Sequence, residues 1–574
     1  MRPAGRGPLE SLYFDYPVFE AAPVPTGDHG PTMAPVLIVG AGPIGMMAAL
    51  ELARHGTRSV LIERKTTFND GSRAICIARQ SMQMLDQVGA VAPFLAKALG
   101  WTRGRSFYRG REILCFDMPH APAERYLPMY NLQQQYIEQY LWDAVSSSAL
   151  IDARWGTELL DLAQGDGQVT ASLRSEHGSY RQPARYLLAA DGARSAVRQR
   201  LGLRLQGENH EGRYVIADVQ MRHDYPTERR ALFHPDSNPG ATVLIHRQPD
   251  DLWRIDYQLQ PGEDPEAAVQ EAAIRTRVGA ILAEIGHRDD WALEWWSIYT
   301  ANTLCLDDYR HGRVFFIGDA AHIVPIFGVR GLNNGLADAQ NIGWKLARVL
   351  DGTSPDSLLD SYSVERRGAT LDVFANASRS ARFMTPPTRG HELMRDAVLS
   401  LSVSHGFARE LANPRQMTPY TYADSPLASP QAGDDGWPAA VGSPVGAACL
   451  NARVQAGSFL LDHAGSGFTA VLGARPGDGP RLARLLSQGR AIDAAFRVLH
   501  VHAPGAVDVV DPGEVTDSCR RLVDVEGELL SRLGLGEGAL MLLRPDLHVA
   551  GRWRNEASAP WQQVLRSALG KDAE

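Results

Sequence analysis

The sequence predicts an α/β fold, α+β overall: a Rossmann-like dinucleotide-binding domain that carries an inserted, mostly antiparallel sheet and is followed by a smaller C-terminal α/β domain. Three observations predict it. A strand, glycine turn, helix, strand and acid occur in order between Pro35 and Arg64. Aromatic-rich alternating segments fill residues 206–301, and a Pro-, Ser- and Gly-rich stretch from Asn413 to Pro444 precedes a last group of strands and helices.

The first stretch organises the chain. Val36 to Val39 is a short apolar run bounded by glycine, the pattern of a strand buried on both faces of a parallel sheet. Gly40, Gly42 and Gly45 follow at G-x-G-x-x-G spacing. The first permits a tight turn, the second lets a pyrophosphate approach the backbone, and the third lets the helix pack closely on the strand. Pro43 and Ile44 open that helix, where free N–H groups and the positive dipole end face an anion. A second strand, Val60 to Ile62, delivers Glu63 where an acid binds a ribose hydroxyl, with Arg64 directly after it. Arg73, in the following loop, is placed either to lie over the cofactor or to pair on the surface.

Two later stretches bring further carboxylates to the same sheet edge. Short strands between Gly156 and Leu188 end at Asp191-Gly192 and a helix, which presents a carboxylate beside free N–H groups. The run Gly312 to Ile317 is a buried strand ending at Gly318-Asp319. It continues through Pro325, Gly331, Leu332 and Asn333 into a helix with an apolar stripe at Leu332, Leu336, Ala339, Gly343, Leu346 and Leu350. Asp319 offers a carboxylate for sugar-chain hydroxyls, and the helix start offers a positive dipole end for an anionic ring, which is what a reduced flavin needs.

Composition narrows the remaining choices. At 574 residues the chain exceeds one hydrophobic core, so two to four domains are expected. A formal charge of −8 argues against nucleic acid as a partner, and no apolar run is long enough for a membrane helix. The five cysteines are scattered without metal-ligand or C-x-x-C spacing, so no metal site is expected and a reducing cytoplasm is the fitting compartment. Residues 1–34 show no clear period and read as a disordered arm, with Tyr13, Phe14, Tyr16 and Phe19 as an aromatic cluster able to dock.

In this order, the three motifs resemble the class A flavoprotein monooxygenases, the p-hydroxybenzoate hydroxylase and phenol hydroxylase family, over residues 35 to 370. Gly71 to Leu85 and Asn131 to Gln134 are similar to the 3-(3-hydroxyphenyl)propionate hydroxylase branch. The resemblance implies bound FAD, NADPH or NADH as co-substrate, and insertion of one oxygen atom from O2 into a small phenolic aromatic substrate through a flavin hydroperoxide. It implies that Glu63 holds the adenosine ribose, Asp319 the ribityl chain and Gln134 the flavin, while Asp191 supports FAD and the transient nicotinamide. Where many members carry glutamine between two glycines, this chain has Gly328-Val329-Arg330-Gly331. Arg330 is therefore a candidate for the oxygen-transfer site or for a substrate carboxylate, against a plain structural pairing.

A phenol must lose its proton to become reactive, so a base is expected on the inserted sheet. His234, His246, Arg254, Asp256 and Tyr257 are the candidates. Alternation turns Arg254 and Asp256 to one face and Tyr257 to the other, so they cannot all line one pocket. A polyketide-tailoring hydroxylase, a Baeyer-Villiger oxygenase and a non-catalytic FAD-binding protein remain as alternatives. The expected domains are a discontinuous FAD-binding domain (35–205 and 302–370), a substrate sheet (206–301), helices and linker (371–445), and a thioredoxin-like domain (446–574). The last resembles the C-terminal domain of the phenol hydroxylase branch, and without a Cys-x-x-Cys its role is packing or homodimer formation.

Overall fold

In the computed structural model, which describes residues 1–25, 32–165, 167–325, 329–412, 419–433, 437, 442–455, 457–505 and 518–571, the glycine-fingerprint strand Ala34–Val39 sits in the middle of a parallel sheet. Its main path runs Arg310–His311, Val314–Phe316, Gly178–Ala189, Ala34–Val39, Ser59–Ile62, Ile151–Arg154, parallel at every joint but the first, while Gln168–Ser175 and Glu158–Gly165 extend it antiparallel from Gly178–Ala189. Val36, Leu37 and Ile38 are fully buried, as a strand covered on both faces requires. The turn after it admits only glycine at two points. Gly40 has φ +106°, and a Cβ on Gly45 would lie 1.8 Å from the Gly40 carbonyl oxygen.

The second sheet has the order His322–Ile323, Ala292–Cys305, Gln206–Gln220, Leu252–Gln258, Thr242–Arg247, Arg229–Phe233, Arg103–Tyr108, Arg111–Asp117. All of its joints are antiparallel except Arg229–Phe233 with Arg103–Tyr108. The expected limits of 206–301 are therefore too narrow, because a hairpin from residues 103–117 completes the sheet. Helix Glu271–Glu284 covers one face, packing Ile274, Val278, Ile281 and Leu282 on Trp253, Ile255 and Tyr257. The other face turns toward the fingerprint domain and forms one wall of a cleft.

Two further boundaries move. Residue 370 falls inside the 25-residue helix Asp360–Met384, which joins the fingerprint domain to the helices Arg389–Ser402 and Gly406–Leu411. Part of the expected linker (413–418, 434–436, 438–441) lies outside the described residues, and its remainder is packed rather than free, with Tyr422 and Trp437 buried. The arm is also seated where it is described, over residues 1–25. Phe19 stacks on Trp155 at 4.2 Å between ring centres, Phe14 is in the core, and Arg2 pairs with Asp70 and Glu294. The aromatic cluster outweighs the polar composition around it.

The C-terminal domain has three parallel strands (Thr469–Gly473, Arg497–His502, Cys519–Val523) and an antiparallel hairpin (Leu540–Leu543, Val549–Trp553), the arrangement of a thioredoxin-like fold. The turn of the hairpin carries Arg544 into a buried charge cluster. Its guanidinium pairs with Glu365 at 2.6 and 2.9 Å and with Asp546 at 2.6 Å, while Lys345 reaches Glu365 at 2.7 Å. Burial works against ionised Glu365, yet Arg544 and Lys345 hold it well below the usual carboxylate range. Removing one member of such a cluster leaves an uncompensated buried charge. Arg544→Ala is expected to destabilise the protein by about 3–5 kcal/mol, seen as a lowered first thermal transition, with Arg544→Lys intermediate; a loss below about 1 kcal/mol would place the cluster outside the stabilising interface.

Candidate active site

The cofactor cradle is built where the parallel strands end. Gly42 caps the helix Pro43–Arg54, and a Cβ there would meet nothing within 4 Å, so the backbone faces open space. Glu63 follows the second strand and accepts from the backbone N–H of Ala41 at 3.0 Å and of Lys65 at 3.1 Å, which fixes its carboxylate at the turn. Arg64 beside it is exposed. Asp191 accepts from the Val197 N–H at 3.0 Å through one oxygen; the other, Oδ1, is buried with no partner among the described residues. Burial raises its carboxyl above the ordinary value, against hydrogen bonds from Ser195 and Val197.

Asp319 is exposed, yet its surroundings are dense enough that desolvation raises its carboxyl, with His322 and Arg73 pulling the other way. That combination describes a side chain on the wall of a deep cleft. The two motif loops are locked together: Arg198 donates to the carbonyls of Ala320 (3.0 Å) and Ala193 (2.6 Å). Behind them the Gly318 N–H and His322 Nε2 lie 3.0 and 2.7 Å from Asp338 Oδ2, and Arg366 donates to its other oxygen at 2.7 Å. Burial works against Asp338 ionising, but His322 and Arg366 hold its carboxyl below the ordinary range. Pro325 is buried beside this turn, Gly331 and Leu332 are half-buried at the helix start, and Asn333 is buried, bonding Ala78, Ser81 and the Cys76 carbonyl. An open glycine turn, the exposed Asp319 carboxylate and an orphaned oxygen on Asp191 fit FAD.

The cleft lies between this cradle and the inward face of the second sheet. Strand register places Arg229, His246, Arg254 and Asp218 in one row across four strands, with Ala231, Leu244 and Asp256 in the next. Arg254 pairs with Asp218 through two 2.9 Å bonds and donates to the carbonyls of Arg73 (3.1 Å) and Ser72. His246 is driven down to about 3 by burial and by Arg229 and Arg254, so it is neutral. Asp256 is raised to about 7 by burial, against the pull of Arg254, and its Oδ1 has no partner among the described residues. Opposite them, Ile75, Cys76, Trp101, Met118 and Met129 form an apolar wall.

Several expectations change in this geometry. Tyr257 is buried in the layer under helix Glu271–Glu284, with Arg277 over its ring, on the far side from the cleft. Arg330 lines a separate cavity with Met84, Asp372, Val373 and Tyr420, away from the polar row, and its Nε is buried without a partner among the described residues. Gly328 lies outside the described residues. Gln134 spends its side-chain oxygen on the N–H groups of Arg73 and Ala74, both at 3.2 Å, and its amide nitrogen on Glu138. Arg73 is exposed and acts electrostatically on Asp319, so it faces the cradle. Arg229 and Asp338 escaped the sequence reading. Asp338 lies off the apolar stripe of its helix, so spacing gives no sign of it; for Arg229, beside Arg230, only register distinguishes the two.

Comparison with known proteins agrees with an FAD-binding domain and with the fold. A family model described as FAD binding domain matches residues 33–377. The 3-(3-hydroxy-phenyl)propionate/3-hydroxycinnamic acid hydroxylase of Mycobacterium sp. (strain JLS) is 27% identical over 549 residues, spanning 92% of this chain and 90% of the relative. Among solved structures, the flavin-dependent monooxygenase PieE with FAD and substrate superposes with a TM-score of 0.76 at 23% identity, covering 94% of this chain and 100% of that one. Aklavinone-11 hydroxylase with FAD and aklavinone gives 0.72 at 25% identity, covering 94% and 99%.

The cradle makes a direct prediction. We propose that the exposed Asp319 carboxylate binds the cofactor's hydroxyl chain, so the FAD content of Asp319→Ala after desalting is expected to drop, with affinity weakened about 10- to 100-fold. Asp319→Asn should retain more. A fully yellow Asp319→Ala protein would remove Asp319 from cofactor binding.

Proposed function

We propose that this chain, which belongs to the FAD binding domain family and is a flavin-dependent aromatic hydroxylase, adds one oxygen atom from O2 to a phenolic ring with NADPH or NADH as reductant. The substrate class is a hydroxyphenyl ring with an acid-bearing chain, in keeping with the named relative. The five cysteines, scattered without metal-ligand or C-x-x-C spacing, suit a reducing cytoplasm.

The observation that carries this reading is the placement of the polar row beside the cradle, joined to it by Arg254 through the carbonyls of Ser72 and Arg73. Bound FAD supplies electron transfer from the reductant and activation of oxygen. Glu63, Asp191 and Asp319 bind and orient the cofactor. The apolar wall of Ile75, Trp101 and Met129 holds a ring and excludes water. Asp256 Oδ1 takes the phenol proton, because its carboxyl sits at about 7 and a base is most effective near the working pH. His246, neutral and buried, donates or accepts a hydrogen bond at the ring hydroxyl without adding charge.

The test is aerobic oxidation of NADPH and NADH by the FAD-loaded protein across phenols, phenylpropanoic acids and aklavinone, with product masses. Oxidation accelerated by a hydroxyphenyl acid, with a product heavier by one oxygen, supports the reading; oxygen transfer only to aklavinone would favour the polyketide alternative. Asp256 must be ionised to accept a proton, so kcat should rise with pH through about 7. Asp256→Asn should abolish that limb and lower kcat by about 10²- to 10⁴-fold. An unchanged pH profile would remove Asp256 from the reaction.

A further inference from the structure

The row facing the cleft contains a cation that makes no ion pair among the described residues. Arg229 is buried, with its side chain among Cys76, His246 and Asp256, and its Nη1 has no hydrogen-bond partner among the described residues. Its neighbour two strands away differs in this respect. Arg254 is saturated, with Asp218 on one side and two loop carbonyls on the other. Arg230, one residue along, points to the opposite face, where it pairs with Glu228 at 2.7 Å and covers the Tyr225 ring. Burying an unpaired guanidinium is costly, so a fold that keeps one facing a cleft has a use for its charge.

We propose that Arg229 binds the anionic oxygen of the substrate, a carboxylate or a phenolate carried by the aromatic ring, and so selects acidic arenes. This rests on the hydroxylase reading and assigns the recognition residue for it. One more polar atom on the same face, Ser106 Oγ in the row next to Arg229, is buried without a partner among the described residues and adds a hydroxyl donor on that side of the guanidinium. The wall opposite is apolar, and the Trp101 indole N–H is already taken by Asn131 Oδ1 at 2.8 Å, which leaves its ring as a surface for an arene. Arg229 is close enough to Asp256 for each to act electrostatically on the other, so a phenolate formed by proton transfer to Asp256 would lie in reach of a guanidinium.

The groups facing Asp256 are Arg229, Arg254, Asp218, His246 and Tyr214 from its own sheet and Cys76 from the strand opposite. His246 and Cys76 stay neutral near pH 7, the thiol because burial pushes it up to about 12. Asp256 is thus the titrating group, and its ionisation competes with the ligand for Arg229. Anion affinity should fall as pH rises through about 7, and Asp256→Asn should cancel the fall.

The experiment titrates the oxidised, FAD-loaded protein, without reductant, with 3-phenylpropionate, 3-(3-hydroxyphenyl)propanamide, 3-(3-hydroxyphenyl)propionate and the neutral control 3-phenylpropanamide, following flavin absorbance and tryptophan fluorescence. Arg229→Met is expected to weaken the anion-bearing ligands at least about tenfold while leaving the neutral control and FAD content unchanged, and Arg229→Lys to recover part of the loss. Loss confined to the two carboxylates identifies a side-chain carboxylate. A loss for the hydroxyphenyl amide that appears only as its phenol ionises identifies the phenolate. Equal binding of all four compounds by wild type and Arg229→Met, equal weakening of the neutral control, or no binding to wild type would overturn the proposal. In the last case, oxygen transfer to some other arene would still leave the hydroxylase reading standing.

Discussion

The fold depends on a helix that is buried on nearly every side and is nevertheless full of polar groups. Arg330–Leu350 buries Asn333, Asn334, Asp338, Gln340, Asn341 and Lys345 as well as its apolar residues. Each such group must find a partner, because an unmet buried polar group costs more than a hydrogen bond contributes. Asn333 closes on the strand Cys76–Ala78, Asp338 on the Gly318 turn, His322 and Arg366, and Lys345 on Glu365. The satisfied network continues from Arg366 through the Tyr422 hydroxyl at 3.0 Å to Arg544, whose guanidinium lies over the Tyr422 ring. One helix therefore holds the cofactor turn, a cleft strand and the C-terminal domain in register.

Charge in the cleft follows the same accounting and reaches a different result. The row has two arginines and one neighbouring carboxylate that is fully ion-paired, Asp218 with Arg254. Asp256 stands apart, raised to about 7 chiefly by burial. The face turned to the cradle thus carries positive charge that the protein leaves partly uncompensated, beside a carboxyl whose protonation state is free to change. Groups in that condition are expensive for stability and cluster where chemistry is done.

Much of this was legible from the sequence because it is local. The fingerprint glycines, the acid after the second strand and the Asp-Gly and Gly-Asp turns each sit within a few residues of the strand that positions them, so spacing alone places them at one sheet edge. The alternation of Arg254, Ile255, Asp256 and Tyr257 was equally readable and correctly put Tyr257 on the other face. What failed required pairing across the chain. Whether Arg229 or Arg230 faces the cleft is decided by register with Thr242–Arg247, and a slip of one residue would exchange them. The hairpin 103–117 joins the second sheet by a parallel joint that no turn between neighbouring strands announces. Arg330 stood out because it replaces an expected residue beside glycine; the cavity it lines together with Asn333, Met84, Asp372 and Tyr420 is assembled from distant segments that local spacing does not connect.

The loop Asn69–Ala74 shows how the two halves of the site are made to agree. Glu138 accepts from the backbone and side chain of Asn69, both at 2.8 Å; Gln134 takes the N–H groups of Arg73 and Ala74; Arg254 takes the carbonyls of Ser72 and Arg73; and Arg2 of the seated arm pairs with Asp70. Donors and acceptors of one short loop are thus divided among the fingerprint domain, the second sheet and the N-terminal segment. A shift of the sheet relative to the cradle would break the Arg254 bonds to this loop. The loop therefore transmits sheet position to the guanidinium of Arg73, which faces Asp319 across the cradle. Gln134, at the start of its helix, holds that loop through its side-chain oxygen while Glu138 holds its amide nitrogen.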